Sequence, residues 1–307
     1  MQQTITVLPP GTVANMVCGF DVLGFALHEP CDEIDITLID EKRIIIQPDP
    51  VYHLPTDPEK NVAGAALLAM LDAMDEPIGF DITIRKHIKP GSGIGSSAAS
   101  AAGAVVGANM LLNNRFSKEE LVQFAMFGEK VASGVKHADN IAPCIYGGIT
   151  LIRSIFPLDV IALPAPDLFV SIVHPQIEVR TADARAILKQ TVLLKNAIKQ
   201  WGNIAGLVAG ILKNDHALIG RSLEDHIIEP VRSILIPGFD ELKQRCMAAG
   251  ALGGGISGSG PSVFMLSSTK EKAEAIAAEM QSVFNRLGID NHTYVTSINA
   301  TGVTVKP

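Results

Sequence analysis

The sequence predicts a mixed α+β protein in two halves, each an α+β sandwich, and three observations lead there. Strand-like runs of alternating polarity recur between stretches whose apolar residues fall at helical spacing. A proline-bearing stretch over residues 156–167, Phe-Pro-Leu-Asp-Val-Ile-Ala-Leu-Pro-Ala-Pro-Asp, marks a join near mid-chain and sets the expected domains at 1–158 and 159–307. Residues 90–100, Pro-Gly-Ser-Gly-Ile-Gly-Ser-Ser-Ala-Ala-Ser, connect a strand-like run to a helical run of small residues, the layout of a phosphate cradle.

In the first half, residues 4–7 and 34–36 alternate as strands, 43–47 continue that texture, and 61–74 have the apolar spacing of a helix. Residues 80–88 form the strand that feeds the glycine loop, and 97–112 the helix that leaves it. After the polar break at 113–116, Ser117 with Glu120 three positions on makes a capping box for a helix ending near Ser133. Residues 137–140, His-Ala-Asp-Asn, read as a loop before the turn Tyr146-Gly147-Gly148. In the second half 168–174 and 262–267 are strands, 181–189, 191–212, 240–249 and 270–287 are helices, and 291–298 and 302–305 are closing strands. Internal repeats and low-complexity segments are not evident.

Composition bounds the function. At 307 residues and 47% apolar the chain fills substantial cores, and a net charge of −7 argues against nucleic acid as a partner, because phosphate-backbone affinity comes from clustered lysine and arginine. The basic run Arg85-Lys86-His87-Ile88-Lys89 reads either as a solvated strand end or as a draw for an anionic ligand. Residues 1–10 lack a basic region followed by an apolar one, so a cytoplasmic protein is expected. The low-polarity stretches 63–71 and 98–112 are too short, or too rich in Gly, Ser and Asn, for a membrane span. Cys18, Cys31, Cys144 and Cys246 form no C-x-x-C pair and are expected as buried free thiols without zinc.

The glycine loop carries the chemistry. Gly91, Gly93 and Gly95 permit positive-φ turns and let main-chain N–H groups approach a bulky anion next to a helix N-terminus. It is not a Walker loop, since no lysine follows Gly95, nor a dinucleotide fingerprint, since its third glycine comes one residue too early. Gly253, Gly255 and Gly258 do fit G-x-G-x-x-G but follow a helical pattern and precede a strand, the reverse of the required order, so that match is read as accidental. A phosphate site without lysine needs a divalent cation, which prefers hydroxyl and carboxylate oxygens. Ser97 at the start of the loop helix and Glu129 on the capped helix are the candidates, set against plain readings as a helix cap and a surface glutamate. His137, Asp139 and Asn140 form a polar loop cluster.

Together these motifs resemble the GHMP kinases. Residues 90–100 are similar to that family's central glycine loop, 137–143 (His-Ala-Asp-Asn-Ile-Ala-Pro) to the loop after its metal-ligand helix, and 255–261 (Gly-Ile-Ser-Gly-Ser-Gly-Pro) to its third motif. Ala14-Asn15 with Gly19-Phe20-Asp21, Asp-Asn-Ile-Ala-Pro-Cys at 139–144, and Arg180-Thr181 followed by Arg185 resemble the branch that acts on L-homoserine. Ile94 stands where the family usually has leucine, a volume-conserving change.

The resemblance implies an N-terminal domain like domain 2 of ribosomal protein S5, a ferredoxin-like C-terminal domain, and ATP in the cleft between them. It implies Asn61 near the adenine, and Pro90, Gly91, Ser92, Gly93, Ile94, Gly95, Ser96, Ser97, Ala98 and Ala99 around the triphosphate, with Mg2+ on Ser97 and Glu129. It further implies Asn15, Asp21, His137, Arg185 and Arg232 on the amino-acid substrate, Asp139, Asn140 and Thr181 at the catalytic centre, and a homodimer. The activity implied is ATP-dependent phosphorylation of the L-homoserine hydroxyl in threonine biosynthesis, the alternative being a mevalonate- or shikimate-type acceptor. Substrate chemistry points the same way: a zwitterion needs an anion for its ammonium and cations for its carboxylate, and Asp21 with Arg185 and Arg232 supplies both. The sequence leaves two routes for the hydroxyl proton: Asp139 accepts it, or Asn140 orients the hydroxyl while the proton leaves to the phosphate.

Overall fold

Backbone hydrogen bonding gathers the strands of the computed structural model, which describes residues 3–307, into three sheets. Met1 and Gln2, which open the stretch read above for a leader, lie outside the described residues. The first half runs β1 (Thr4–Leu8), β2 (Pro10–Ala14), β3 (Leu23–Cys31), β4 (Glu33–Ile39), β5 (Ile44–Ile46), α1 (Val62–Asp72), β6 (Gly79–Arg85), α2 (Ser96–Leu111), α3 (Lys118–Ser133), α4 (Ile141–Tyr146), β7 (Ile149–Ile155) and β8 (Leu158–Leu163). The rest runs β9 (Phe169–Pro175), α5 (Thr181–Ala186), α6 (Leu194–Lys213), α7 (His216–Ser222), α8 (Glu229–Arg232), a 3-10 turn at Ser233–Leu235, α9 (Phe239–Ala248), β10 (Gly253–Ile256), β11 (Val263–Ser267), α10 (Lys270–Arg286), β12 (Asn291–Ser297) and β13 (Thr304–Val305).

One sheet has the order β13-β1-β4-β6-β5, so the end of the chain returns to pair with its beginning. The alternation of β4 and β6 turns Ile34, Ile36, Phe80 and Ile82 inward, where they meet Leu67 and Met70 of α1 and Ala101 and Val105 of α2. Helix α2 is buried almost all round, which is why its sequence is alanine, glycine and serine: a Cβ at Gly107 would come 2.1 Å from Cδ1 of Ile36. Ser117 and Glu120 form the expected capping box, and Gly134 closes α3 in the left-handed region.

The second sheet, β2-β3-β7-β8, was not foreseen. Every residue of β2 and the first five of β3 are buried, so these strands show no polar alternation by which to find them. Strand β8 lies inside the proline-bearing stretch read as a join, and it pairs with β7. The boundary expected between 158 and 159 thus falls at the start of a paired strand.

The third sheet, β10-β11-β9-β12, is antiparallel and is reached in the order β-α-β-β-α-β, a ferredoxin-like arrangement. Its outer core joins Met265 and Val173 to Ile276, Met280 and Phe284 of α10 and Leu242 of α9. Its other face packs on the second sheet, with Phe25 edge-on to Phe264 at a centroid distance of 5.6 Å. The helix expected over 181–189 ends at Ala186 and the one expected over 191–212 begins at Leu194, leaving the β-branched pair Thr191-Val192 in the connection. Residues 137–140 form the expected loop, and the chain after it winds into α4, with Pro143 in a first turn where its missing N–H is harmless. Three of the four cysteines are buried, Cys31 only partly so, and all are unpaired. Among the described residues no helix is long and apolar enough to cross a membrane.

Candidate active site

The glycine loop leaves β6 and enters α2 with Gly91, Gly93 and Gly95 at φ of 75°, 82° and 72°. At Gly93 a Cβ would also lie 2.6 Å from the Gly260 carbonyl oxygen, so both conformation and space exclude a side chain there. The loop's carbonyls are held from behind. Ser262 Oγ donates to Ser92 O at 2.6 Å, Ser257 Oγ to Gly93 O at 2.7 Å, and the Thr12 N–H to Ile94 O at 3.1 Å. The N–H groups of Gly93, Ile94 and Gly95 have no protein acceptor among the described residues. With carbonyls turned in and amides left over at the start of a sixteen-residue helix, the loop presents partial positive charge. Ser257 of the 255–261 motif and Ser262 just beyond it therefore work as braces for the glycine loop.

Lys86 departs from both readings of the basic run. It is buried beneath α2, ion-paired with buried Asp32, and donates to Ser96 O at 2.8 Å and Ser100 Oγ at 3.1 Å. Burial pulls its pKa down, and Asp32 opposes that. Its neighbours behave as solvated strand ends: Arg85 pairs with Glu33, and Lys89 donates to Gln176.

Ser97, in the first turn of α2, donates to Glu129 Oε2 at 3.1 Å. Glu129 is partly buried, and burial pushes its pKa up with only the hydroxyls of Ser97 and Ser133 acting against it. A desolvated carboxylate without a cationic neighbour, beside a hydroxyl and the amide-lined loop, is a donor set suited to a hard divalent ion. Asp139 is 5% exposed, and its pKa is pushed up to about 7 by burial and by the charges of Asp21 and Glu129. Gly24 makes this close packing possible, since a Cβ there would lie 1.9 Å from the Asp139 carbonyl oxygen. Asn140 Oδ1 accepts from Thr12 Oγ1 at 2.8 Å.

Across the cavity a tight turn with Asn15, Met16, Val17 and Asp21 all at positive φ presents Asp21. Asn15 holds this turn, accepting the Asp21 N–H at 3.0 Å and donating to Gly258 O at 2.8 Å. Arg185 donates to both Asp21 oxygens, at 2.9 and 3.1 Å, and lies 3.4 Å from Nδ1 of His137, whose pKa burial lowers. Arg232 is 3% exposed and donates to the carbonyls of Ala184 and Gly258. The Phe20 ring centroid is 5.4 Å from the Arg185 guanidinium and 4.9 Å from that of Arg232. Thr181 Oγ1, on the first residue of α5, is 3.2 Å from Ser259 Oγ.

These groups face one cavity of about 410 Å³, a volume suited to a small-molecule site. It brings together Asn15, Asp21, Asn61, Pro90, Gly91, Gly93, Gly95, Ser96, Ser97, Glu129, His137, Asp139, Asn140, Thr181, Arg185 and Arg232. Four expected loop residues do not line it. Ser92, Ile94, Ala98 and Ala99 are each 1% exposed or less, because alternate positions of the loop and helix must anchor it to the core. Asn61 lines the wall, yet its side chain is committed to capping α1, accepting from Ala63 and Gly64 and donating to Pro55 O. Phe20, Leu54, Pro55, Lys60, Lys86 and Ser259 also line the cavity and were missed. Phe20, Lys86 and Ser259 stood within stretches quoted above without being assigned to the site, whereas Leu54, Pro55 and Lys60 carried no signal.

Comparison with known proteins agrees with this geometry. The family model for the GHMP kinases N terminal domain matches residues 61–148, and that for GHMP kinases C terminal matches 207–286. A homoserine kinase of Chloroherpeton thalassium is 47% identical over 296 residues, covering 92% of this chain and 93% of the relative. One from Methanocella arvoryzae is 42% identical, covering 96% and 95%. The crystal structure of homoserine kinase from Cytophaga hutchinsonii superposes with a TM-score of 0.95 at 48% identity, covering 100% of this chain and 98% of that one.

Proposed function

The chain belongs to the GHMP kinases, and on that footing we propose that it transfers the γ-phosphoryl group of ATP to the side-chain hydroxyl of L-homoserine, giving O-phospho-L-homoserine and ADP on the route to threonine. The observation that carries this is a loop with its amides turned outward beside a pocket wall bearing a carboxylate and two arginines. The triphosphate lies along the amides between Pro90 and Ser97, and the adenine reaches toward Leu54, Pro55 and Val62. Ser97 and Glu129 would hold Mg2+, which when bound neutralises charge on the β and γ phosphates.

Asp21 and Arg185 pair with each other, so homoserine enters by exchange: its ammonium takes up Asp21, and its carboxylate lies against Arg185 and Arg232. Arg232 supports this because it is a buried cation whose protein partners here are two backbone carbonyls. In the transfer the hydroxyl oxygen bonds to the γ phosphorus, the bond from that phosphorus to the bridging oxygen breaks, and ADP leaves. The hydroxyl proton goes to Asp139, whose pKa near 7 suits an acceptor at neutral pH. Most of the rate comes from holding the two reactants in line.

The alternative acceptors lack the charge match, since mevalonate and shikimate have no ammonium for Asp21. Coupled ADP release with a panel of L-homoserine, mevalonate and shikimate tests the reading; it fails if homoserine is not the preferred acceptor. We place the domain boundary after Leu163, where the β7–β8 pairing ends. The reading also includes a cytoplasmic location, supported by the unpaired thiols, and a homodimer. Leu194, Ile198 and Trp201 form an apolar stripe on α6 that is 66%, 56% and 61% exposed and offers a surface for the second copy; sedimentation of the purified chain as a monomer at micromolar concentration would remove that part.

A further inference from the structure

We infer that Thr12 is a positioning residue for this reaction: its hydroxyl fixes which end of the Asn140 amide faces the cavity. The inference rests on the phosphoryl-transfer reading and deepens it. Thr12 sits on β2, fully buried, and the run Pro-Gly-Thr-Val-Ala around it carries no chemical motif. Its Oγ1 donates to Asn140 Oδ1 at 2.8 Å across 128 positions of sequence. Asn140 stands at the N-terminus of α4 but makes no side-chain capping bond there, so Thr12 is the contact that orients it.

The orientation follows from counting donors and acceptors. Thr12 Oγ1 has one proton to give, and Asn140 Oδ1 is its only acceptor among the described residues. Turning the amide over would leave that buried hydroxyl proton without a partner, which costs about 1–3 kcal/mol. Held the right way, Asn140 keeps its acceptor end on β2 and offers two N–H donors to the cavity. Those donors can grip the attacking hydroxyl oxygen or a γ-phosphoryl oxygen, but the side chain is not available to take a proton.

The same hydroxyl lies directly under the phosphate loop. A Cβ at Gly95 would come 2.0 Å from Thr12 Oγ1 and 3.2 Å from Asn140 Oδ1, and the Thr12 N–H donates to Ile94 O at 3.1 Å. One residue therefore ties down the phosphate loop through its backbone and the catalytic loop through its side chain, and substitution can separate the two. Thr12→Val keeps shape and backbone N–H while removing the hydroxyl; Thr12→Ser keeps the hydroxyl.

The test measures kcat and both KM values by coupled ADP release, using the best acceptor of the wild type. For Thr12→Val kcat is expected to fall roughly 10²-fold, the scale of a misplaced reacting group, with KM for ATP changed by no more than about twofold. Thr12→Ser is expected to stay within about threefold of wild type in kcat, and Thr12→Val is expected to add nothing in an Asn140→Ala background. Wild-type kcat in Thr12→Val, or an equal further loss in both backgrounds, would overturn the inference. Should Thr12→Val melt well below wild type, the contrast between Thr12→Ala and Thr12→Ser takes its place, and equal kcat in those two overturns it as well. An inactive wild type with homoserine would instead count against the functional reading.

Discussion

Asp139 gives a prediction that can be worked from the structure in both activity and stability. Its carboxyl is buried, and its pKa rises from 3.8 to about 7, first through burial and then through Asp21 and Glu129. A carboxyl that binds its proton more tightly when folded stabilises the fold fully below its unfolded pKa, and that contribution is lost as pH rises toward the folded value. The gap of about 3 corresponds to about 4 kcal/mol, which acts against the folded state above pH about 7 and disappears toward pH about 4. Asp139→Asn keeps the shape without the charge. It is therefore expected to raise Tm at pH about 8.5, by up to roughly 8–16 °C if the whole gap is realised, and to leave Tm almost unchanged near pH about 5. On the proposed mechanism it also removes the proton acceptor, so kcat is expected to drop by about 10²-fold or more. Wild-type kcat should fall about tenfold per pH step below about 7, and Asp21→Asn should move that inflection to lower pH by removing a like charge. The assay pairs calorimetric melts at the two pH values with a kcat profile. A Tm gain equal at both pH values, or an unchanged kcat, would refute the reasoning.

Glu129→Gln is expected to lower turnover by orders of magnitude while Tm stays the same or rises, because a desolvated charge is removed; wild-type turnover at limiting Mg2+ would dismiss the metal assignment. Arg232→Ala is expected to raise the KM for homoserine far more than that for ATP, and equal effects on both would speak against a carboxylate clamp. Arg185→Ala should do the same and in addition leave Asp21 unpaired, so restoring the cation as lysine should recover only part of the loss, since a point charge replaces a contact to both carboxylate oxygens.

What the sequence disclosed, and what it hid, divides along the range of the forces involved. The Ser117 capping box, the positive-φ glycines at 91, 93 and 95, and the alternation of β4 and β6 were legible, because each is decided by residues a few positions away. Strands β2 and β3 escaped notice because burial on both faces erases the alternation that marks a half-exposed strand. Lys86 looked like part of a surface charge run, and only its pairing with Asp32, 54 positions away, makes it an interior prop for α2.

The site follows the same division one level higher. Residue types on its wall were recognisable as a pattern, but the bonds that give them a chemical state join Thr12 to Asn140 across 128 positions, and Asp21 to Arg185 and Gly93 to Ser257 each across 164. Such pairs set which atom of an amide faces a substrate, whether a carboxylate meets its ligand alone or already paired, and which way a loop turns its amides. A motif states that an asparagine is present; the threonine behind it decides whether that asparagine gives or accepts. Positions with no motif of their own, Thr12 and Ser262 among them, are thus where substitutions should change the chemistry of this pocket without altering any residue that the family pattern singles out as catalytic.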